Sequence, residues 1–164
     1  GAKAAVDHQE ADSGHTPLIF ATWYGQEKCM ELLLGAKAAV DQANNNGATP
    51  LYVAVEKGQE KCMELLLGAK AAVDQASNDG DTPLIIAARV GQEKCMELLL
   101  GAKAAVDQAD NNGFTPLHVA VEKGQEKCME LLLGAKAAVD HQEADSGHTP
   151  LIFATWYGQE KCME

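Results

Sequence analysis

The stretch GQEKCMELLLGAKAAVD, residues 58–74, organises the whole chain. It occurs four times without a change, at 25–41, 58–74, 91–107 and 124–140. The chain also opens on its second half, GAKAAVD, and closes on its first half, GQEKCME. A fixed internal period of this kind predicts an array of stacked repeats in which each unit packs against its neighbours.

A Thr-Pro-Leu triplet precedes each copy of this stretch. Threonine can cap a helix, and proline suits the first helical position because its missing N–H has no partner there anyway. The second unit therefore predicts a first helix with the sequence PLYVAVEK, ended by Gly58. The triplets begin at intervals of 33, 33, 33 and 34 residues, at Thr16, Thr49, Thr82, Thr115 and Thr149.

A second helix, QEKCMELLL, follows Gly58 and is apolar on nearly all sides. Such a helix is expected to lie between neighbouring elements. Helices of about two turns are marginal alone, so stability must come from stacking of the units. A loop leads from each second helix to the next unit. The loop before the second unit contains Asn46-Gly47, which indicates a tight, hairpin-like turn.

This order of elements, recurring every 33 residues, resembles the ankyrin repeat. The resemblance is carried by Thr115-Pro116-Leu117-His118-Val119-Ala120, by the second helix ending in Leu65-Leu66-Leu67, and by the loop Ala71-Ala72-Val73-Asp74. It spans the whole chain. It implies an all-α solenoid of helix-turn-helix units with short β-hairpin loops, forming one domain over residues 1–164.

Two features depart from the family pattern. The family usually has glycine in a left-handed conformation just after the second helix, whereas this chain has lysine there. A lysine with positive φ costs on the order of 1 kcal/mol, so either the loop is rearranged or each repeat carries that strain. Repeats one and five also have one extra residue in the hairpin loop, at 7–17 and 140–150. The lysines are Lys3, Lys37, Lys70, Lys103 and Lys136.

The largest regularity spans several repeats. Residues 1–31 and 134–164 are identical, with an offset of 133. The sequence contains no polar capping repeats, which a free-standing solenoid normally needs for solubility. We therefore expect both ends to be uncapped, the chain to represent a window of a longer array or filament, and end-to-end self-association to be possible.

The charge of the chain limits its partners. Its 24 acidic and 13 basic residues give a formal net charge of −11, which disfavours a nucleic-acid partner and favours solubility or a basic partner. The sequence has no apolar run of membrane-spanning length and no visible targeting segment, so we expect no membrane partner.

The cysteines occupy one position of the repeat. Neighbouring copies of a position lie about 10 Å apart in a stacked array, too far for a disulfide. We interpret them as small buried apolar groups and expect an intracellular, cytoplasmic location. A metal or redox role is the alternative, which is disfavoured because no second ligand recurs beside each thiol. They are Cys29, Cys62, Cys95, Cys128 and Cys162.

The histidines do not form a catalytic constellation. His118 belongs to the family signature, and hydrogen bonding at the helix start is its expected role. His8 and His15 flank Glu10 and Asp12, a set able to bind Zn²⁺, but their spacing matches no tight motif. We predict no enzyme activity, no cofactor and no metal. The aspartates at the end of each conserved stretch are expected to accept backbone N–H bonds.

Variable positions next to the conserved helices are the best candidates for partner binding. The family resemblance implies a concave surface made of hairpin tips and the exposed side of each first helix. Because Trp, Tyr and Arg often anchor interfaces, we predict a contact site there. The alternative is that the aromatic residues pack over the longer hairpins. The predicted contact residues are His15, Trp23, Tyr24, Arg89, Phe114, His148, Trp156 and Tyr157.

The sequence thus favours a non-enzymatic scaffold that binds protein. A structural role is the second hypothesis, in which the periodic array itself is a spacer, spring or filament. A designed origin is a third: identical second helices favour it, whereas five free cysteines and lysine in the glycine position disfavour it.

Overall fold

The computed structural model describes residues 6–156, which form a stack of helix-turn-helix repeats. Repeats one to four each contain a helix A followed by a helix B, and repeat five contributes a helix A to this part of the chain. The helices are α1 (Pro17–Trp23), α2 (Glu27–Gly35), α3 (Pro50–Glu56), α4 (Glu60–Gly68), α5 (Pro83–Val90), α6 (Glu93–Gly101), α7 (Pro116–Glu122), α8 (Glu126–Gly134) and α9 (Pro150–Trp156). The solenoid predicted from the sequence is confirmed. None of these helices is long and apolar enough to cross a membrane.

Each helix A begins as its Thr-Pro pair predicts. The Thr49 hydroxyl accepts a hydrogen bond from the Tyr52 N–H at 3.1 Å, and Pro50 occupies the first turn. The helix ends at Glu56, and Gly58 follows with a φ of +65°. This left-handed residue turns the chain into helix B, as expected of glycine.

Each described helix B is followed by a lysine in the left-handed region. The φ of Lys70 is 65°, and the other described lysines of this position lie at 64° or 65°. The loop is therefore not rearranged to avoid the missing glycine. Each of these repeats carries the backbone strain of a side chain at positive φ.

The main core is continuous across the repeats, and Ile19, Ala48 and Val53 form a small second cluster. In repeats two to four, each helix A packs against its own helix B and against the helices A on either side. Met63 and Leu66 of α4 have no exposed surface, and the same methionine is buried in α2, α6 and α8. Because every buried layer includes residues of two repeats, one unit cannot bury its apolar surface alone.

Hydrogen bonds join the loops of neighbouring repeats. The Asp41 carboxylate accepts a hydrogen bond from the Ala72 N–H of the next repeat at 2.8 Å. Asp7, Asp74 and Asp107 make the equivalent bond at 2.8 to 2.9 Å. The expected aspartate column is thus a ladder that runs across the repeats.

Short-range backbone bonds close the hairpin-like loops, and in repeat two the Gly47 N–H donates to the Asn44 carbonyl at 2.9 Å. In repeat two, the Asn44 N–H donates to the Ala48 carbonyl at 3.0 Å. In repeat five, the corresponding bond runs from Glu143 to His148 at 3.1 Å and encloses the one extra residue. No segment of residues 6–156 is a regular strand, because each loop turns back after this one pairing.

The expectation that every cysteine is buried is wrong for Cys29. Cys62, Cys95 and Cys128 are buried free thiols, and burial raises the pKa of Cys95 and of Cys128 to about 11. The Cys128 thiol faces the preceding repeat, 3.9 Å from the Ala87 carbonyl oxygen. Cys29 belongs to repeat one, and within residues 6–156 no helix pair packs on the side of α2 that faces a preceding repeat. Cys162 lies outside the described residues.

Candidate functional site

A groove of about 560 Å³ runs between the hairpin tips of repeats one to three and the helices A of repeats one and two. Its aromatic side is lined by His15, Trp23 and Tyr52. Its polar side includes Glu56 and Asp79, together with asparagine amides of the tips. We refer to this feature as the tip groove.

The His15 ring is held by polar contacts on both nitrogens. Its Nε2 lies 3.2 Å from the Asn44 amide nitrogen, which can only donate. The proton of the neutral ring therefore lies on Nδ1, which is 2.5 Å from the Ser13 hydroxyl oxygen. Ser13 in turn donates to the Glu10 carboxylate. These bonds fix the ring, whose centroid is 6.0 Å from that of Trp23.

Trp23 is exposed and already binds a cation of the chain itself. The Lys57 ammonium nitrogen lies 3.7 Å from the centroid of the Trp23 ring. The same ammonium is 3.2 Å from a carboxylate oxygen of Glu56. The ring face and the adjacent carboxylate together form a site for a positively charged side chain.

Tyr52 forms the half-buried floor beside this site. Burial and the nearby charge of Asp81 raise the pKa of its phenol to about 12. The phenol thus remains protonated near neutral pH and is available as a hydrogen-bond donor. Sequence reasoning did not select Tyr52, although it replaces the histidine of the family signature, which was a usable signal.

Arg89 is not a free anchor. Its guanidinium donates to both oxygens of the Asp81 carboxylate, at 2.5 and 2.7 Å. Asp81 is buried and Arg89 is only partly exposed. The predicted contact residue therefore joins α5 to its own hairpin tip, and a partner would meet only the outer edge of the guanidinium.

Phe114 and His148 belong to a second aromatic cluster, which joins repeats four and five. Phe114 lies edge-on to His118 and to Phe153, with centroids 5.8 and 5.7 Å apart. His148 lies 4.5 Å from the exposed ring of Trp156. The His148 ring also contacts Phe153, with centroids 6.2 Å apart, while Trp156 remains 64% exposed.

His118 has the capping role expected from the signature. It forms a capping box with Thr115 and is fully buried. Its Nε2 lies 3.2 Å from the His148 carbonyl oxygen of the next repeat. Burial lowers the pKa of its imidazole, so the neutral ring is favoured.

Tyr24 caps the end of α1 and is exposed beside Trp23, at the edge of a shallow hollow. Both residues of this adjacent pair thus reach solvent. In repeat five, Trp156 is likewise exposed, and Tyr157 lies outside the described residues.

The acidic loops around His8 and His141 are occupied by internal hydrogen bonds. Glu143 accepts bonds from the N–H groups of Asp145, Ser146 and His148 at 2.7, 2.9 and 3.1 Å. The Ser146 hydroxyl and the His148 N–H are the leading causes that lower the pKa of this carboxyl to about 2. Across residues 6–156, no three His, Cys, Asp or Glu side chains are arranged to hold a metal ion.

The fold and the groove define a class: a stacked helix-turn-helix solenoid with an open surface along its hairpin tips. A family model described as ankyrin repeats, in three copies, matches residues 2–79 and again residues 69–145. The chain therefore belongs to the ankyrin repeat family. Ankyrin repeats are generally protein–protein interaction modules and are typically not enzymes. A search of curated proteins gives no significant match.

Proposed function

We propose that this chain is a non-enzymatic scaffold that binds an extended, basic segment of a protein partner in the tip groove. The observation that carries the proposal is the cation–π contact of Lys57, whose ammonium lies 3.7 Å from the Trp23 ring centroid. The groove thus already receives a lysine side chain. A partner's lysine or arginine would find the same ring face and the same acidic neighbour, Glu56.

Charge supports the same class of partner. The chain carries a formal net charge of −11, and Glu56 and Asp79 both line the groove. Opposite charge speeds association and favours basic partners over acidic ones. His15 and Tyr52 add flat aromatic surface and hydrogen-bonding groups, which suit recognition of an extended peptide.

The test is titration calorimetry with a ten-residue peptide of alternating Arg and Ser, compared with a Glu and Ser peptide of equal length. We expect the basic peptide to bind and the acidic peptide not to bind. Trp23→Ala should weaken binding by about tenfold or more, because aromatic anchors carry much of an interface's energy. If Trp23→Ala lowers stability but leaves binding intact, Trp23 has a packing role and the proposal is wrong.

The chain offers a matched control for the contact between Lys57 and Trp23. Lys57→Gln removes the internal cation and should tighten binding of the basic peptide. Lys123→Gln removes the same charge from the same position of repeat four, where Lys123 pairs with Glu122 at 2.9 Å. Equal effects of the two variants would mean that net charge alone acts, and would contradict a specific site on Trp23.

A structural role is the second candidate function. It is supported by the loop ladder, since the same aspartate-to-backbone bond joins every described pair of consecutive repeats. Such repetition suits a spacer or filament as well as a binding module. Electron microscopy of the purified chain tests it: regular fibres would support assembly, and discrete curved particles would contradict it.

A further inference from the structure

One sequence of sixteen residues occurs twice in the described structure, in two different surroundings. Residues 8–23 and 141–156 are identical. Phe20 is 40% exposed, whereas its copy Phe153 is 8% exposed. Conversely, Leu18 is 1% exposed, whereas its copy Leu151 is 51% exposed. Each copy thus buries the face that the other leaves open.

The contacts of residues 141–156 show which surface the exposed face of residues 8–23 fits. Phe153 lies edge-on to Phe114 and His118, with centroids 5.7 and 5.8 Å apart. The Ala144 N–H donates to the Asn112 carbonyl oxygen at 2.9 Å. His118 Nε2 lies 3.2 Å from the His148 carbonyl oxygen. All three contacts attach residues 141–156 to repeat four.

We propose that two copies of this chain associate head to tail by exchange of these segments. Residues 8–23 of one copy replace residues 141–156 on repeat four of the other copy. Phe20 then packs on Phe114, and the His15 carbonyl accepts from His118. The occupant is a second copy because its sequence is the one already seen in that place, residue for residue.

The second helices add contacts that favour the exchange. Leu32 of α2 is exposed on the side that faces a preceding repeat, and Leu133 of α8 is exposed on the side that faces a following one. In the interior, the equivalent Leu65 and Leu100 are partly buried against the core. When repeat one of a second copy sits on repeat four, α2 lies against α8 and the two exposed leucines are covered.

This inference does not depend on the proposed function. The exchanged segment includes His15 and Trp23, which line the tip groove, but Phe20 and Phe114, which make the exchanged contact, do not line it. Phe20→Glu therefore tests the association without replacing a residue of the groove, and Lys57→Gln tests the groove without replacing a residue of the exchanged contact.

The experiment is sedimentation equilibrium of the 164-residue chain over a range of concentrations. We expect a weight-average mass that rises above the monomer mass of 17.4 kDa as concentration increases. Phe20→Glu should keep the chain monomeric, because it places a charge against Phe114 of the second copy. A wild-type chain that remains monomeric at every concentration would overturn the proposal.

The repeated sequence supplies a control with the same substitution. Phe153→Glu loosens the internal segment from repeat four and so frees the docking place. It should promote association, lowering the midpoint concentration by about tenfold for the loss of one buried aromatic contact. The same response from Phe20→Glu and Phe153→Glu would contradict exchange, since only exchange gives the two copies opposite roles.

A cross-link checks the geometry independently of folding effects. In a chain with Cys29→Ser and Cys162→Ser, the pair Ala11→Cys and Asn112→Cys should form a covalent dimer. The pair Asn112→Cys and Ala144→Cys should instead close within one chain, because these residues already touch. Absence of the dimer in the first pair, with closure in the second, would rule out the proposed register.

Discussion

Arg89 and Asp81 form a two-pronged ion pair, with nitrogen–oxygen distances of 2.5 and 2.7 Å. The pair joins the last turn of α5 to the hairpin tip that precedes the same helix. Asp81 is buried, so its charge depends on this guanidinium for compensation. Arg89, predicted from the sequence as a partner contact, is thus also part of the internal structure.

We expect Arg89→Ala to lower the free energy of unfolding by about 1–3 kcal/mol, because it leaves a buried carboxylate without its partner. The double variant Arg89→Ala with Asp81→Ala should recover part of that loss. Urea denaturation followed by circular dichroism measures both. Additive losses in the double variant would show that the ion pair contributes no coupling energy.

Helix B contains leucines at different positions, one buried in the interior and another exposed in repeat one. Leu66 in α4 is fully buried, whereas Leu32 in α2 is exposed. Leu66→Ala should therefore cost about 2–5 kcal/mol of stability through lost burial and a cavity. Leu32→Ala should change it by less than about 0.5 kcal/mol. Thermal and urea unfolding of the monomer at low concentration test this, and similar losses at both sites would contradict the stacking order.

The left-handed lysines store strain that glycine would relieve. Lys70 has a φ of 65°, and Lys70→Gly should raise the free energy of unfolding by roughly 1 kcal/mol. Lys70→Ala is the matched control, because it removes the same charge and side chain but keeps the Cβ. If the alanine and glycine variants were equally stable, the gain would come from charge and not from the backbone.

The hairpin of repeat five should loosen in acid. Hydrogen bonds from Ser146 and His148 lower the pKa of Glu143 from 4.5 to about 2 in the folded chain. The stabilisation is complete above pH 4.5. As the pH falls from 4.5 towards 2, the unfolded state binds a proton first and the stabilisation is lost.

Amide hydrogen exchange at Asp145, Ser146 and His148 measures this loss between pH 5 and pH 2. Glu143→Gln should abolish the acid dependence at these amides, and Ser146→Ala should reduce it because it removes the largest cause. Protection that stays constant over this range in the unsubstituted chain would show that the carboxylate does not hold the loop.

Much of the fold follows from local chemistry, so the sequence could predict it. Thr49 and Pro50 mark a helix start wherever they occur, and Gly58 marks its end. The period of 33 then places identical helices B in contact, which explains the buried Met63. The family position of the lysine predicted either a rearranged loop or a strained lysine at positive φ, and the structure shows the second.

The site was harder to predict because its pairs join different repeats. Lys57 meets Trp23 and Asn44 meets His15 only where successive repeats stack, and no local sequence pattern encodes these contacts. All five cysteines occupy the same position of the repeat, so the sequence alone predicts that Cys29 is buried like the others. Burial, however, depends on which neighbour a repeat has on each side.

The two tryptophans give the chain two distinguishable optical reporters at opposite ends. Trp23 lies under Lys57 and is 39% exposed, whereas Trp156 lies edge-on to His148 and is 64% exposed. Replacing either one by phenylalanine leaves a single emitter, and the two spectra should differ although the surrounding sequence is the same. Fluorescence can therefore record the order in which the two ends of the stack unfold.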